Sequence, residues 1–221
     1  MSKCLRYRAA AGFTLVEVAI VLVIIGLILG GVFKGQALID SARVRSIQGE
    51  LTGFQSAWLS FADRYRAIPG DFARADHQID SAATPGNGNG RLDSASERAG
   101  VWQQLALAGF INGSFDGSAA NVGSAGSVDC TAGTCPKNPF NGFYKMAYGA
   151  QAAGSDSDAN ELLTGRQMPV GILSQLDTRL DDGVAMTGRF QVHRDYVSTC
   201  TRNGNWDNAS ANANCVGVLR N

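Results

Sequence analysis

The feature that most constrains this chain is an apolar run near its N-terminus, from Phe13 to Phe33, in which Glu17 is the only charged residue. The run has 21 residues, which as an α-helix would extend about 31 Å, enough to cross the hydrocarbon core of a membrane. A secretory signal would have a shorter apolar stretch followed by small residues at a cleavage site, whereas here the small residues at 10–12 come first. The sequence therefore predicts a membrane-anchoring helix.

Charge is unevenly distributed along the chain. Lys3, Arg6 and Arg8 lie in the first twelve residues, which contain no acidic residue, although the whole chain has equal numbers of basic and acidic residues. Because basic flanks stay in the cytoplasm, we expect the N-terminus inside and the remainder, from Lys34 onward, outside. That remainder is mildly acidic and has no basic stripe, so no specific nucleic-acid binding is expected.

The position of Glu17 needs a physical explanation, because a carboxylate at the centre of a membrane helix costs about 2.5–3.5 kcal/mol, and less near an end. Removal of the residues before Phe13 would create a free ammonium group one helical turn from Glu17. A helix N-terminus also favours negative charge. The ammonium of a neighbouring subunit's Phe13 would be a better partner still, and the alternative is a glutamate that snorkels to the membrane surface.

The sequence around this point resembles the prepilin peptidase recognition motif of type IV pilins and type II secretion pseudopilins. The resemblance covers the leader and the first helix, and it rests on the short basic leader, the segment GFTLVE at 12–17 and the apolar helix that follows directly. It implies cleavage between Gly12 and Phe13, methylation of the new Phe13 amine, and a role for Glu17 in setting register against the next subunit.

The resemblance also implies a location, partners and a role. The chain would be a single-pass protein of the inner membrane, with its N-terminus in the cytoplasm and its body periplasmic, and would reach a filament or the cell surface after assembly. Its partners would be prepilin peptidase, other pilin or pseudopilin subunits, a membrane assembly platform and, before assembly, the lipid bilayer. A structural subunit of a pilus-like filament is favoured, and a secretion pseudopilin or a filament-tip adhesin is the alternative.

Two shorter segments carry a weaker resemblance to pilin-like proteins outside the best-known major pilins. They are IPGDF at 68–72 and LDTRLDDG at 176–183, and they favour a lesser-known or minor subunit. No enzyme is expected, because the chain has only two histidines, His77 and His193, and neither stands in a nucleophile pattern.

Apolar residues continue at helical spacing beyond the membrane segment, which predicts one helix from Phe13 to about Arg66 whose second half packs on a globular domain. The stripe comprises Val44, Ile47, Leu51, Phe54, Trp58, Phe61 and Tyr65. The predicted organisation is a cleaved leader at 1–12, a membrane or filament-core helix at 13–33, its continuation at 34–66 and a globular domain at 67–221.

The globular domain is predicted to contain two further helices and several short strands. The helices are expected at 96–110, with Ser96 as N-cap, and at 171–182, and the strands at 143–148, 188–197 and 215–219. Helices followed by strands indicate an α+β fold. The pilin resemblance further implies an antiparallel β-sheet laid on the second half of the long helix.

Four of the five cysteines follow the apolar run, and an exported body would allow them to pair. Cys130 with Cys135 and Cys200 with Cys215 is the simplest of three pairings. A zinc site built from the same four residues is the alternative, but the wide spacing of the second pair is unlike a zinc knuckle.

One loop has the composition of a calcium-binding loop. Asn87, Asn89, Asp93 and Glu97 are spaced much like the middle of an EF-hand, although Pro85 would occupy the first ligand position and Glu97 falls one residue late. Solvated loop residues are therefore favoured over calcium ligands, and no other cofactor is expected.

Overall fold

The computed structural model describes residues 12, 14–124, 126–127, 129–155 and 158–220. The chain forms two compact units, and the boundary between them lies between Ala42 and Arg43. The leader residues 1–11 and Phe13, which carry part of the predicted processing site, lie outside the described residues.

Helix α1 spans Leu15–Tyr65 and crosses the boundary between the two units. It begins where Thr14 Oγ1 accepts the backbone N–H of Glu17 at 3.2 Å, which is the hydrogen bond of an N-cap residue. Its end is marked by Arg66, which has a left-handed backbone with φ of 52°. The predicted long helix is confirmed to within about two residues at each end, as far as the structure describes it.

The second half of α1 supplies one side of the core of the larger unit. Six residues of this segment are buried: Val44, Ile47, Leu51, Ala57, Trp58 and Phe61. The half-buried Phe54 ring packs edge-on against Trp102 and Tyr144, with centroid distances of 4.9 and 5.1 Å. The predicted apolar stripe is therefore confirmed, because its members pack against the body in one hydrophobic core.

The body has the α+β architecture that the sequence predicts. The helices are α2 at Ala75–Gln78, α3 at Ala95–Leu107, α4 at Val170–Leu180 and α5 at Val197–Cys200. The strands are β1 at Lys145–Gly149, β2 at Ala159–Leu163, β3 at Phe190–Val192, β4 at Thr201–Arg202, β5 at Asn205–Trp206 and β6 at Gly217–Arg220. Single 3₁₀ turns occupy Ala119–Asn121 and Arg194–Tyr196.

Four of the strands form an antiparallel sheet in the order β1-β2-β6-β3, and β4 pairs with β5 as a separate hairpin. Strand β6 lies between β2 and β3, with Leu219 opposite both Leu162 and Phe190. These three side chains belong to the same core as α1.

Two details of the sequence reading were wrong. Helix α3 is capped by Ser94 rather than Ser96, and Ser94 forms a capping box with Glu97, in which each side chain accepts the other residue's backbone N–H. The strand predicted at 188–197 is restricted to β3, because His193 accepts the N–H of Asp195 and starts a 3₁₀ turn.

The structure joins Cys130 to Cys135 and Cys200 to Cys215, with Cα–Cα distances of 6.1 and 6.0 Å. This is the pairing favoured by the sequence, and it leaves no zinc-binding thiolate among these four residues. The second disulfide fixes the end of α5 to the chain that enters β6.

Candidate functional site

The start of α1 is exposed to solvent among the residues that the structure describes. Gly12 is exposed, and a Cβ atom placed on it would meet no atom within 4 Å. If position 12 requires glycine, the requirement would therefore come from another protein that recognises this segment, and not from packing within the chain.

Glu17 lies in the first turn of α1 and is exposed. Its backbone N–H is held by Thr14, so Thr14 is the N-cap and Glu17 is the third residue of the helix. A carboxylate at this position interacts favourably with the unpaired N–H groups of the helix N-terminus. The sequence reading identified Glu17 but missed the cap, although the Thr-x-x-Glu spacing is the signature of one.

The apolar segment that follows is exposed in the part of the chain that the structure describes. Its large apolar side chains, from Leu15 to Phe33, are between 46% and 90% exposed. Among the described residues, α1 is the one helix that is long and apolar enough to cross a membrane. A surface this apolar is stable only against lipid or against other apolar helices.

The exposed apolar segment of α1, near the N-terminus of a chain with an α+β body, indicates a membrane-anchored, single-pass protein. Residues 7–33 match the prokaryotic N-terminal methylation motif. This match supports a relationship of the N-terminal segment to type IV pilin-like and pseudopilin-like proteins. Comparison with curated proteins and with solved structures gave no significant match.

The loop suggested for calcium is organised by a residue that the sequence reading did not select, Asp71. This carboxylate accepts three consecutive backbone N–H groups, from Gly88 at 2.7 Å, Asn89 at 3.2 Å and Gly90 at 2.6 Å. Asp71 belongs to the IPGDF segment, and its buried position was the information that the sequence lacked.

The four suggested ligands take part in hydrogen bonds within this loop. Glu97 accepts the backbone N–H groups of Asn87 and Ser94 through separate oxygens. Asn87 Oδ1 accepts the N–H of Asn89 at 2.9 Å, and Asn89 Nδ2 donates to Asp93 Oδ2 at 3.1 Å. These hydrogen bonds hold the loop in its shape, and calcium at these four residues stays the less favoured of the two alternatives.

His193 and Lys145 are two of the titratable residues that are buried in the body. Burial lowers the pKa of His193 from its ordinary value to about 4, and its Nδ1 accepts the backbone N–H of Asp195 at 3.2 Å. Burial also lowers the pKa of Lys145 to about 8, and its Nζ donates to the carbonyls of Gly123 and Ser124 at 3.1 and 2.6 Å. Both side chains therefore stabilise the loops to which they are hydrogen-bonded.

Proposed function

We propose that this chain is a structural subunit, major or minor, of a type IV pilus-like filament. Prepilin peptidase removes residues 1–12, the amine of Phe13 is methylated, and the N-terminal helix passes from the membrane into the filament core. The observation that carries this proposal is the coincidence of the methylation motif at 7–33 with the first part of α1, whose large apolar side chains from Leu15 to Phe33 are exposed.

Cleavage changes the electrostatics at the start of α1. It removes Lys3, Arg6 and Arg8, which hold the precursor's N-terminus in the cytoplasm. It also creates an ammonium group on Phe13, one helical turn from Glu17. The cut thus releases the basic anchor and supplies the cation that the carboxylate needs.

Assembly exchanges lipid contacts of the helix for contacts with neighbouring helices. Because lipid tails are about as apolar as leucine side chains, this exchange is nearly neutral for the aliphatic residues. The contact between Glu17 of one subunit and the Phe13 ammonium of the next then sets the register, and a membrane assembly platform drives extraction.

The body is proposed to lie outside the cytoplasm. The charge asymmetry across the apolar helix favours that orientation. Two disulfide bonds in the body are also typical of an oxidising compartment.

The processing step is tested with Gly12→Val, expressed in a host that carries prepilin peptidase. Position 12 is sterically open, so the substitution leaves the chain's own packing intact. The wild-type chain recovered from membranes should begin at a methylated Phe13 by mass spectrometry, whereas Gly12→Val should retain residues 1–12 and form no filaments.

Ala10→Val is the matched control, because it introduces the same side chain two residues upstream and should be processed normally. The proposal would be contradicted if the wild-type chain recovered from membranes still carried residues 1–12. So would normal filaments built from Gly12→Val.

A further inference from the structure

A turn with an apolar tip lies beside the first residue of the larger unit. Pro139 and Phe140 form the tip and are half-buried, and the guanidinium carbon of Arg43 lies over the Phe140 ring, 4.9 Å from its centroid. Further along the chain, the Tyr144 hydroxyl donates to Glu50 Oε2 at 2.6 Å. The chain from 140 to 144 therefore runs alongside α1 from 43 to 50, and the tip lies at the end of the body where α1 enters it.

The turn is held in one shape by Asn138. Its Oδ1 accepts the backbone N–H groups of Phe140 at 2.8 Å and Gly142 at 3.0 Å, and its Nδ2 donates to the carbonyl of Thr164 at 2.8 Å. Asn141, with φ of 68°, completes the turn. A partner that contacts the tip therefore meets a surface that is already ordered, so binding does not cost the entropy of ordering a loop.

Basic side chains are concentrated at this end of the body. Arg43, Arg45 and Lys137 are all exposed, and Lys137 lies at the base of the turn, where it bridges to Phe143. Arg45 lies on another side of α1 from Arg43, because residues two apart do not share a helix face. These three basic residues and Phe140 are called the basic end of the body below.

Positive charge predominates in this region. The segment 34–45 carries three basic residues and one acidic residue, Asp40. Two acids in the surrounding chain have partners, since Glu50 accepts the tyrosine hydroxyl described above and Asp129 pairs with Arg166 at 3.3 Å. The charge of the region is therefore complementary to an anionic surface.

The basic end also lies within electrostatic reach of a membrane surface. Arg43 follows Phe33, the last residue of the apolar run, by ten residues of α1, which is about 15 Å along a helix. The headgroup layer occupies about the first 5–8 Å of that distance, and charges interact over a Debye length of about 8–10 Å. Long basic side chains extend further toward the headgroups, and the usual helix tilt of about 20° brings one side of the body closer.

We propose that the basic end of the body docks on the anionic phospholipid headgroups of the membrane in which α1 is anchored. Arg43, Arg45 and Lys137 supply the attraction, and the Phe140 tip supplies an apolar contact of the kind that aromatic residues make at a membrane interface. A second copy of the chain is a poorer partner, because a symmetric contact would bring the same basic residues of both copies together.

Docking would keep the body at the bilayer in one orientation. Each basic residue near an anionic surface strengthens the attraction about fivefold, so three of them strengthen it about a hundredfold. Salt weakens such a contact, and extraction of α1 from the lipid would break it. This inference rests on the membrane anchor and not on the filament role.

The first experiment places a reporter at the tip. Full-length Phe140→Trp is reconstituted into nanodiscs that contain a lipid with a nitroxide on its headgroup, which quenches nearby indoles. The three native tryptophans are at most 8% exposed, and the wild-type signal measures their background. The emission of Phe140→Trp should be quenched strongly in discs that contain phosphatidylglycerol and weakly in discs of phosphatidylcholine alone.

Leu59→Trp is the matched control for this reporter. Leu59 is 67% exposed and follows Arg43 by sixteen residues of α1, about 24 Å along the helix, so its indole should escape quenching in both kinds of disc. In about 1 M sodium chloride, where the Debye length is about 3 Å, the quenching of Phe140→Trp should fall to the level in phosphatidylcholine.

The second experiment needs no substitution, so it tests the proposal even if Phe140→Trp fails to fold. Hydrogen exchange of the wild-type chain is measured by mass spectrometry in the two kinds of disc. The segment 137–143 should exchange more slowly in discs that contain phosphatidylglycerol, because the docked headgroups exclude water from the turn.

The third experiment removes single charges from the chain that carries Phe140→Trp. Lys137→Gln and Arg45→Gln should each lower the ratio of docked to undocked body about fivefold. Arg189→Gln is the matched control, because Arg189 is exposed and lines a groove with Ser56 and Leu59, away from the basic end. It should dock like its parent.

The proposal is overturned if Phe140→Trp is quenched equally with and without phosphatidylglycerol, or if Leu59→Trp is quenched as strongly. It is also overturned if Lys137→Gln and Arg45→Gln dock like their parent. Protection of 137–143 that follows the number of chains per disc instead of the lipid charge would assign the surface to a second copy. The filament role is measured separately, by processing at Gly12, so either proposal can fail alone.

Discussion

Replacement of Asp71 by alanine should lower the free energy of unfolding of the body by about 3–5 kcal/mol. The Asp71 carboxylate is 3% exposed and organises the loop at 86–90 by accepting three consecutive backbone N–H groups. A hydrogen bond to a charged group contributes about 1.5–3 kcal/mol. The loop is only partly buried, so water can hydrogen-bond to the three N–H groups once the carboxylate is removed. The expected loss is therefore smaller than the sum of three such hydrogen bonds, at about 3–5 kcal/mol.

The assay is chemical denaturation of the full chain in micelles, followed by tryptophan fluorescence, which reports on the buried Trp102. Asp71→Asn should fall between the wild type and Asp71→Ala, because it keeps one carbonyl oxygen but turns an NH₂ group toward the remaining donors. A destabilisation of 3–5 kcal/mol corresponds to a melting temperature lower by about 6–20 °C for a unit of this size.

Asp80→Ala is the matched control for Asp71→Ala. Asp80 accepts one exposed backbone N–H, from Ala82 at 2.8 Å, so its removal should cost less than about 1 kcal/mol. If the free energy of unfolding of Asp71→Ala lies within about 1 kcal/mol of the wild-type value, the carboxylate does not organise the loop and the reasoning is refuted.

Three further predictions concern other parts of the chain. Glu17→Ala should insert into the membrane and be cleaved but should form far fewer filaments by electron microscopy, and normal filament numbers would show that the carboxylate does not set the register. Burial lowers the pKa of His193 to about 4 in the folded chain, whereas the unfolded value is about 6.5. Between these two pH values the unfolded chain binds the proton more strongly than the folded chain does. The free energy of unfolding should therefore fall as the pH is lowered from about 6.5 to 4, by up to about 1.4 kcal/mol per pH unit from this group. His193→Asn should flatten that slope in denaturation curves at several pH values, and an unchanged slope would assign it to other groups. Gly188→Ala should destabilise the body by about 2 kcal/mol or more, because Gly188 has φ of 75° and a Cβ atom there would collide with Asp181. The control is Gly171→Ala, at an open helical position, which should be neutral or stabilising when both variants are compared by thermal unfolding.

The long helix was predictable because its signal is repeated many times. The apolar run identifies the exposed segment, and the stripe from Val44 to Tyr65 identifies the face that packs on the body. Each is an average over many residues, so no single exception obscures it. The same holds for α4, which begins after Pro169 and was predicted within about two residues.

Strand β2 was missed because its sequence is not typical of a strand. Its central Glu161 is 0% exposed, and it lies there because it pairs with Arg220 across the sheet, with Nε to Oε1 at 3.3 Å. A buried ion pair between residues far apart in sequence leaves no local pattern. The carboxylate of Asp71 went unrecognised for the same reason, because its three donors lie in a different segment.

The position of β6 determines when the body can fold. This strand, Gly217–Arg220, is the central partner of both β2 and β3, although all the other strands precede it in the chain. The sheet cannot be completed until residues 217–220 have been synthesised, so the body should fold after that point and not before it. A nonsense mutation before codon 217 would remove the middle of the sheet, and every such allele should therefore behave as a complete loss of the body, however late in the gene it occurs.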